Sequence, residues 1–231
     1  MPLLHHRDRI EGGLVIEVAF TDVSLSLGDA AEAEVRAEAL GRVGGLTGAT
    51  PVLMHQVHGA DVVRVDDPAE ATAPTCDALY TSRPEVVLLA RAADCVPVLL
   101  ADPAGGWVAA VHSGRPGLAD GVVPATVEAL RREGAEPSVA WIGPHVCGRC
   151  YEVPADLQEE VAAKVPEARS TTSWGTPALD LGAGVRAQLA AAGVDDVRVV
   201  GVCTREDDAW PSYRRDGTAA TRFAGAIWSH A

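Results

Sequence analysis

Basic residues are scarce in this 231-residue chain: 19 Lys and Arg stand against 32 Asp and Glu, giving a formal net charge of −13 and a pI near 4.9. Nucleic acids and anionic membranes are bound by clustered cations that displace counterions, so neither is an expected partner. Aromatic residues are few as well, at 4%, which leaves Val, Leu, Ala and Ile to build the core. Long apolar runs are missing: stretches such as Val86–Ala90 and Val96–Ala101 are separated by Arg91 and Asp94, far short of a membrane span. The opening MPLLHHRDRI lacks the apolar run and small-residue cleavage site of a secretory signal, so the cytoplasm is the expected location. Five cysteines (76, 95, 147, 150 and 203) cannot all pair within one chain, and free thiols are expected. Neither a Walker loop nor a GxGxxG run occurs, which removes support for ATP or dinucleotide binding.

What remains is an ordinary globular balance, 48% hydrophobic and 22% charged, in a chain long enough to bury a core without staples. No repeat, low-complexity tract or linker divides it, so one domain over residues 1–231 is expected. Strands are predicted at Gly13–Phe20, Val52–Val57, Val62–Val65, Asp77–Thr81, Val86–Ala92, Val96–Ala101, Trp107–Val111, Ser138–Ile142, Val197–Val202 and Phe223–Trp228. Helices are predicted from Ala30, capped by Asp29, to Val43 before Gly44-Gly45, and over Leu118–Glu133, where Pro124 marks a kink or a first turn. Two more are predicted over Pro154–Val165 and Leu181–Ala192, the latter stopped by Gly193. Several strand-to-strand hops among helices imply a mixed α/β (α+β) layered structure rather than regular βαβ winding.

Three polar residues stand at predicted strand ends: His58 before Gly59, Cys95 in AADCVPVLL, and His112 before Ser113-Gly114. Three readings of them stay open. They are turn histidines and a small core cysteine; or a His2Cys ligand set for Zn²⁺ or copper with a fourth position open; or a Cys95 nucleophile with a histidine base and Asp94 nearby. His55 lies three residues from His58, and on a strand the two face opposite sides, so only His58 is taken as a candidate. Cys147-Gly148-Arg149-Cys150 is a CxxC in a Gly- and Pro-rich loop with no second pair in the sequence, and it is read as structural. Arg214 and Arg215 precede a turn and Arg115 leads into a helix; each is a candidate anion ligand.

HQVHGADVV, CDALYTS, AADCVPVLLADP, AAVHSG, WIGPHVCGRCYEVP, LDL and SYRRDG occur in an order that resembles the YfiH family. That family is also called the laccase-domain, multicopper polyphenol oxidase or peptidoglycan-editing-factor family. The resemblance runs from about Leu25 to Trp228 and implies a layered α/β/β/α fold with a metal and active site at His58, Cys95 and His112. It implies a zinc-dependent purine nucleoside phosphorylase acting on adenosine, inosine and methylthioadenosine, with an adenosine deaminase side activity, working as a monomer or homodimer. Its small-molecule partners are then a purine nucleoside and phosphate. The alternatives are a hydrolase that removes misplaced amino acids from UDP-muramoyl precursors, a copper polyphenol oxidase, and a non-catalytic interaction protein. Seven histidines, with His5 and His6 at the terminus, are too few for a true multicopper site. The chain departs from the family where a usual His-Ala-Gly-Trp-Arg-Gly reads His112-Ser113-Gly114-Arg115-Pro116-Gly117, and where Gly-Arg near the end reads Thr221-Arg222.

Overall fold

The computed structural model describes residues 4–28, 31–68 and 73–231. In chain order the elements are β1 (Leu4–Ile10), β2 (Val15–Thr21), α1 (Ala33–Thr47), β3 (Thr50–Val52), β4 (Val62–Arg64), β5 (Ala78–Thr81), β6 (Val86–Ala92), β7 (Val96–Asp102) and β8 (Trp107–Ser113). There follow α2 (Arg115–Asp120), α3 (Val122–Arg132), β9 (Val139–Ile142), α4 (Ala155–Lys164), β10 (Arg169–Thr171), β11 (Pro177–Leu179), α5 (Leu181–Ala191), β12 (Asp196–Val199), α6 (Tyr213–Asp216) and β13 (Phe223–His230). One sheet runs β1-β2-β13-β6-β3, another β12-β9-β7-β8-β5-β4, and β10-β11 is a small hairpin.

The sequence dictates how the two large sheets stack. β6 and β7 are buried along their whole length, so both faces of each strand need apolar cover. Between the sheets, Phe20, Leu88 and Ile227 from one meet Leu79, Leu99 and Val108 from the other. Val98, Leu100 and Val111 turn the opposite way, onto Leu118, Val127 and Leu130 of α2 and α3 and onto α4 and α5. On the far side, Leu89, Ala226 and Trp228 pack against Ala39 and Val43 of α1. The result is a four-layer α/β/β/α arrangement, the mixed α/β layering that the pattern implies in the form that the family resemblance implies. Its helices are too short for a bilayer: among the described residues none is long and apolar enough to cross a membrane.

Four local expectations change. α1 starts at Ala33 after Glu32 and runs through Gly44-Gly45 to Gly48, whose φ of 68° ends it. Gly44 is small because a Cβ there would lie 3.2 Å from the Ala49 carbonyl oxygen and 3.4 Å from Pro51; it is a packing glycine, not a breaker. The expected cap, Asp29, lies outside the described residues. The helix expected over 118–133 is two helices, broken at Gly121 with φ 81°, and Pro124 falls in the first turn of the second. The strand expected over 52–57 leaves its sheet after Val52, because Gln56 exchanges two hydrogen bonds with the Arg91 backbone and the next three N–H groups go to a carboxylate. β1 and the β10–β11 hairpin lie outside the predicted strands: Leu4–Ile10 is mostly polar, and the hairpin strands have three residues each.

The inter-sheet seam yields a stability prediction. Phe20 is fully buried, and Cβ atoms placed on Gly143 and Gly225 would come within 2.3 and 3.0 Å of its ring. Phe20→Ala is expected to cost about 3–5 kcal/mol by urea unfolding, and Gly143→Ala to destabilise as well because the ring has no room to withdraw. A loss under about 1 kcal/mol for both would mean that the seam is loosely packed.

A second prediction concerns pH. Glu17 accepts from Arg7 at 2.8 Å and contacts His230 at 3.1 Å. Burial favours its neutral form, but these two partners outweigh that and hold the carboxyl below its ordinary range. His230 is shifted up, by the Ala231 carbonyl and by Glu17. The Glu17 contribution is present above its unfolded pKa and lost as pH falls; the His230 contribution is present below its unfolded pKa and lost as pH rises. The stability difference between wild type and Glu17→Gln should therefore peak between about pH 4.5 and 6.5, and stay under about 1 kcal/mol because both partners are partly solvated.

Candidate metal centre

The chain crosses from one large sheet to the other between β6 and β7, and Cys95 sits in that corner. β8 runs antiparallel to β7 with His112 opposite Pro97, so the end of β8 arrives beside the corner. β5 pairs with β8 on its other side, Ala78 opposite Val111, which brings Asp77 next to His112. The turn at 57–59 then folds over Asp77. Three segments distant in sequence thus meet at one sheet end, and ligand atoms of His58, Cys95 and His112 all lie within 4.8 Å of one another.

Asp77 organises the group. Its carboxylate is fully buried and accepts from the backbone N–H groups of Val57 (3.2 Å), His58 (3.0 Å) and Gly59 (2.7 Å) and from His112 Nδ1 (2.8 Å). Burial opposes its ionisation, yet the His112 bond and the turn N–H groups prevail and hold its pKa below the ordinary value. With Nδ1 taken, His112 presents Nε2 to the site, the orientation that a carboxylate commonly imposes on a metal-ligating imidazole. The same carboxylate fixes His58 in a left-handed turn, φ 62°, where a non-glycine residue needs support. The His58 ring stands edge-on to His112, centroids 4.8 Å apart, and its Nε2 is 3.7 Å from Cys95 Sγ.

Burial disfavours charge on Cys95, but His112 and His58 outweigh it and bring the thiol down to about 6. Burial likewise opposes charge on His112, and the Cys95 sulfur and Asp77 raise it to about 9. The protein thus holds a thiolate ready at neutral pH, the form in which cysteine binds a metal or attacks an electrophile. Cys76, by contrast, is pushed up to about 12 by burial and stays an inert core thiol. Two histidine nitrogens and a thiolate, oriented from behind and open in front, fit a borderline-soft ion with one free position. Gly114 completes the cradle: a Cβ there would lie 2.5 Å from the His58 ring and 3.2 Å from Cys95 Sγ.

Asp94 has a different task from the one its neighbourhood to Cys95 suggests. At φ 88° it turns away from the histidines, accepting from Thr204 and Ser212 hydroxyls at 2.7 Å each and from Arg214 N–H at 2.6 Å. It ties the 204–214 loop to the corner. That loop and the 115–116 segment wall a cavity of about 560 Å³ above the three ligands, a size ordinary for a small-molecule site. Arg115 and Arg214 line it. Arg215 does not; its guanidinium bonds the Thr204 and Trp210 carbonyls and the Asp216 carboxylate. Asp77, Gln56 and Tyr151 belong to the site without being among its sequence-predicted residues, and Arg222, named above only as part of a departure from the family pattern, lines the cavity too. Asp77 and Gln56 lay inside the quoted CDALYTS and HQVHGADVV runs, and only the fold shows that one carries the site.

Asp77→Asn removes the charge that orients His112, and zinc affinity at His58, Cys95 and His112 is expected to fall about 10–100-fold. Gly114→Ala should weaken the metal at least as much while leaving the unfolding midpoint nearer wild type, because its clash falls on the half-open site. Competition with a chromogenic chelator reads both; unchanged affinity in Asp77→Asn would refute the orienting role.

Comparison with known proteins identifies the family of the chain. The family model described as multi-copper polyphenol oxidoreductase laccase matches residues 8–230. A purine nucleoside phosphorylase of Streptomyces coelicolor is 54% identical over 187 residues, 80% of this chain and 77% of that one. Another of Mycobacterium tuberculosis is 44% identical over 186 residues, 80% and 74%. Among solved structures, a Neisseria meningitidis protein superposes at TM-score 0.87 with 29% identity, covering 100% of both chains. The Bacillus licheniformis protein YfiH superposes at 0.83 with 25% identity over 93% and 96%. The chain is therefore a member of the laccase-like YfiH family, a family of enzymes.

Proposed function

We propose that this protein is a zinc-dependent purine nucleoside phosphorylase of the cytoplasm, with His58, Cys95 and His112 as metal ligands and active-site residues. One observation carries the reading. In a chain of net charge −13, Arg115, Arg214 and Arg222 line the same cavity as the three ligands. A phosphate dianion is the co-substrate that such a cationic pocket in an acidic protein suits. The relatives named purine nucleoside phosphorylase supply the nucleoside half of the reading.

A bound zinc ion supplies Lewis-acid chemistry at the pocket floor. The chain's own groups do the rest. Asp77 keeps His112 in one tautomer, and His58 and Cys95 are held by the 57–59 turn and the sheet corner. Arg115 and Arg214 bind and orient phosphate, while the Arg214 guanidinium lies 4.4 Å from the Tyr151 ring centre, which keeps it extended along the wall. Tyr151 and Tyr213 border the same cavity and give a purine base flat surfaces to lie against. Adenosine, inosine and methylthioadenosine fit this class, and deamination of adenosine is its expected side reaction. A multicopper oxidase does not fit the donors: among the described residues only one cluster contains histidine, and it has two.

A second reading has its own observation. Cys95, His112 and Asp77 also follow the order nucleophile, base and orienting carboxylate, as acyl transfer requires, so an amidase acting on UDP-muramoyl amino acids is the alternative.

Purified protein given adenosine and phosphate should yield adenine and ribose 1-phosphate. Inosine as the only product would point to deamination, and turnover of a UDP-muramoyl amino acid alone would point to the amidase. His58→Ala, Cys95→Ala and His112→Ala should each lower turnover at least about 100-fold and remove about one zinc per chain. Metal kept by Cys95→Ala with activity lost would favour the nucleophile. Arg115→Ala should raise the phosphate KM about tenfold or more with little change in kcat, since a lost charged hydrogen bond is worth about 1.5–3 kcal/mol.

A further inference from the structure

A second set of metal-type donors lies outside the active site. Cys147 and Cys150 sit between β9 and α4, Cys203 and Glu206 between β12 and α6, and one donor atom from each lies within 4.8 Å of all the others. The backbone makes this convergence. His145 and Cys203 form a parallel bridge, with His145 N–H donating to Val202 O at 3.2 Å and Thr204 N–H to His145 O at 3.1 Å. Beyond the bridge both strands turn alike. The N–H groups of Cys150 and Tyr151 donate to Cys147 O at 2.9 and 3.0 Å, and those of Glu206 and Asp207 to Cys203 O at 3.1 Å each. Two matching turns, Cys147-x-x-Cys150 and Cys203-x-x-Glu206, thus face one another. The sequence offers no second CxxC, and the fold supplies a CxxE in its place.

Geometry and charge suit an ion. Cys150 Sγ lies 3.4 Å from Glu206 Oε1; the corresponding edge of a tetrahedral zinc site with bonds near 2.3 and 2.1 Å is about 3.6 Å. The Cys203 sulfur accepts the Cys147 N–H at 3.4 Å, backbone support of the kind that a ligating thiolate uses. Three thiolates and a carboxylate around a dication leave two negative charges. Arg149 lies beside Cys147, and Arg205 donates to the Cys150 carbonyl at 3.2 Å, so two cations are at hand. Four protein ligands leave no open position, which marks a structural rather than a catalytic site.

We propose that Cys147, Cys150, Cys203 and Glu206 bind a second zinc ion that staples the two loops together. Both loops serve the pocket: one ends in Tyr151, which lines it, and the other supplies Thr204 and Ser212 to Asp94. The staple thereby holds the part of the pocket wall that carries Tyr151 and the 204–214 loop. None of the four ligands is needed by the active-site reading, and the site stands whether or not that reading does.

The full-length protein, expressed with zinc, kept reduced and purified without chelator, gives the test. His58→Ala/His112→Ala, which empties the first site, should retain about one zinc per chain. Adding Cys203→Ser should bring the content near zero, and adding Glu206→Gln, a change at an exposed side chain, should weaken the remaining zinc at least tenfold in chelator competition. Cobalt loaded into His58→Ala/His112→Ala should show thiolate-to-cobalt charge transfer and tetrahedral visible bands of a multi-thiolate site, a readout that leaves the four ligands intact. Zinc absent from a folded His58→Ala/His112→Ala protein overturns the proposal. So does zinc unmoved by Cys203→Ser, or a thiol count showing two of these cysteines in a disulfide in the reduced preparation.

Discussion

A carboxylate buried without any exposed surface, Asp77, is the constraint on which the site depends. An unpaired charge there would be strongly unfavourable, and removing a partner from a buried ionic cluster commonly costs about 3–5 kcal/mol. Four N–H donors meet it, three from the 57–59 turn and one from His112. Desolvation therefore becomes a device for geometry: the turn cannot open, nor the imidazole rotate, without stranding the charge. His58 tolerates a left-handed backbone because its N–H and those of its two neighbours are taken by this carboxylate. The segment between Val52 and the turn is held by other partners, His55 N–H by the Pro74 carbonyl and the Gln56 side chain by the Arg91 backbone.

A second buried carboxylate does for the opposite wall what Asp77 does for the floor. Asp94 holds two hydroxyls and a backbone N–H of the 204–214 loop from a residue itself at φ 88°. Of the two strained residues, His58 is itself a metal-type ligand and Asp94 stands beside Cys95, and both sit where the chain leaves one sheet for another. Strain of this kind persists only where the surroundings over-determine it. Here the fully buried strands β6 and β7 on either side of the corner provide that rigidity.

Much of this was legible in the residues. The strands from Val86 to Val111 read almost to the residue, because continuous Val, Leu and Ala runs between turn residues leave little choice. His58, Cys95 and His112 stood out as polar residues at strand ends, and the order of motifs pointed to the family. What did not show was anything settled by three-dimensional proximity. Gly44-Gly45 reads as a helix stop until Pro51 is seen packed on it. Asp94, next to Cys95 in sequence, looks like the orienting acid, whereas Asp77, eighteen positions before Cys95, performs that task. Arg214 and Arg215 are equivalent as letters. A short helix turns one along the cavity wall and the other onto the backbone of its own loop.

The charge balance of the molecule places a demand on any anionic substrate. A net charge of −13 repels a phosphate dianion at long range, so the surface field does not steer it inward. Affinity on the phosphorolysis reading must then come from within the cavity, at distances where the Debye screening of about 8 Å in physiological salt has little effect. Arginine suits that position better than lysine, since its planar fork pairs two phosphate oxygens at once and is more weakly hydrated. The packing of Arg214 on Tyr151 and its bond to the Glu152 carbonyl at 2.7 Å fix such a fork in advance. On that reading an acidic protein accommodates the dianion because the cations that would receive it are already oriented before it arrives.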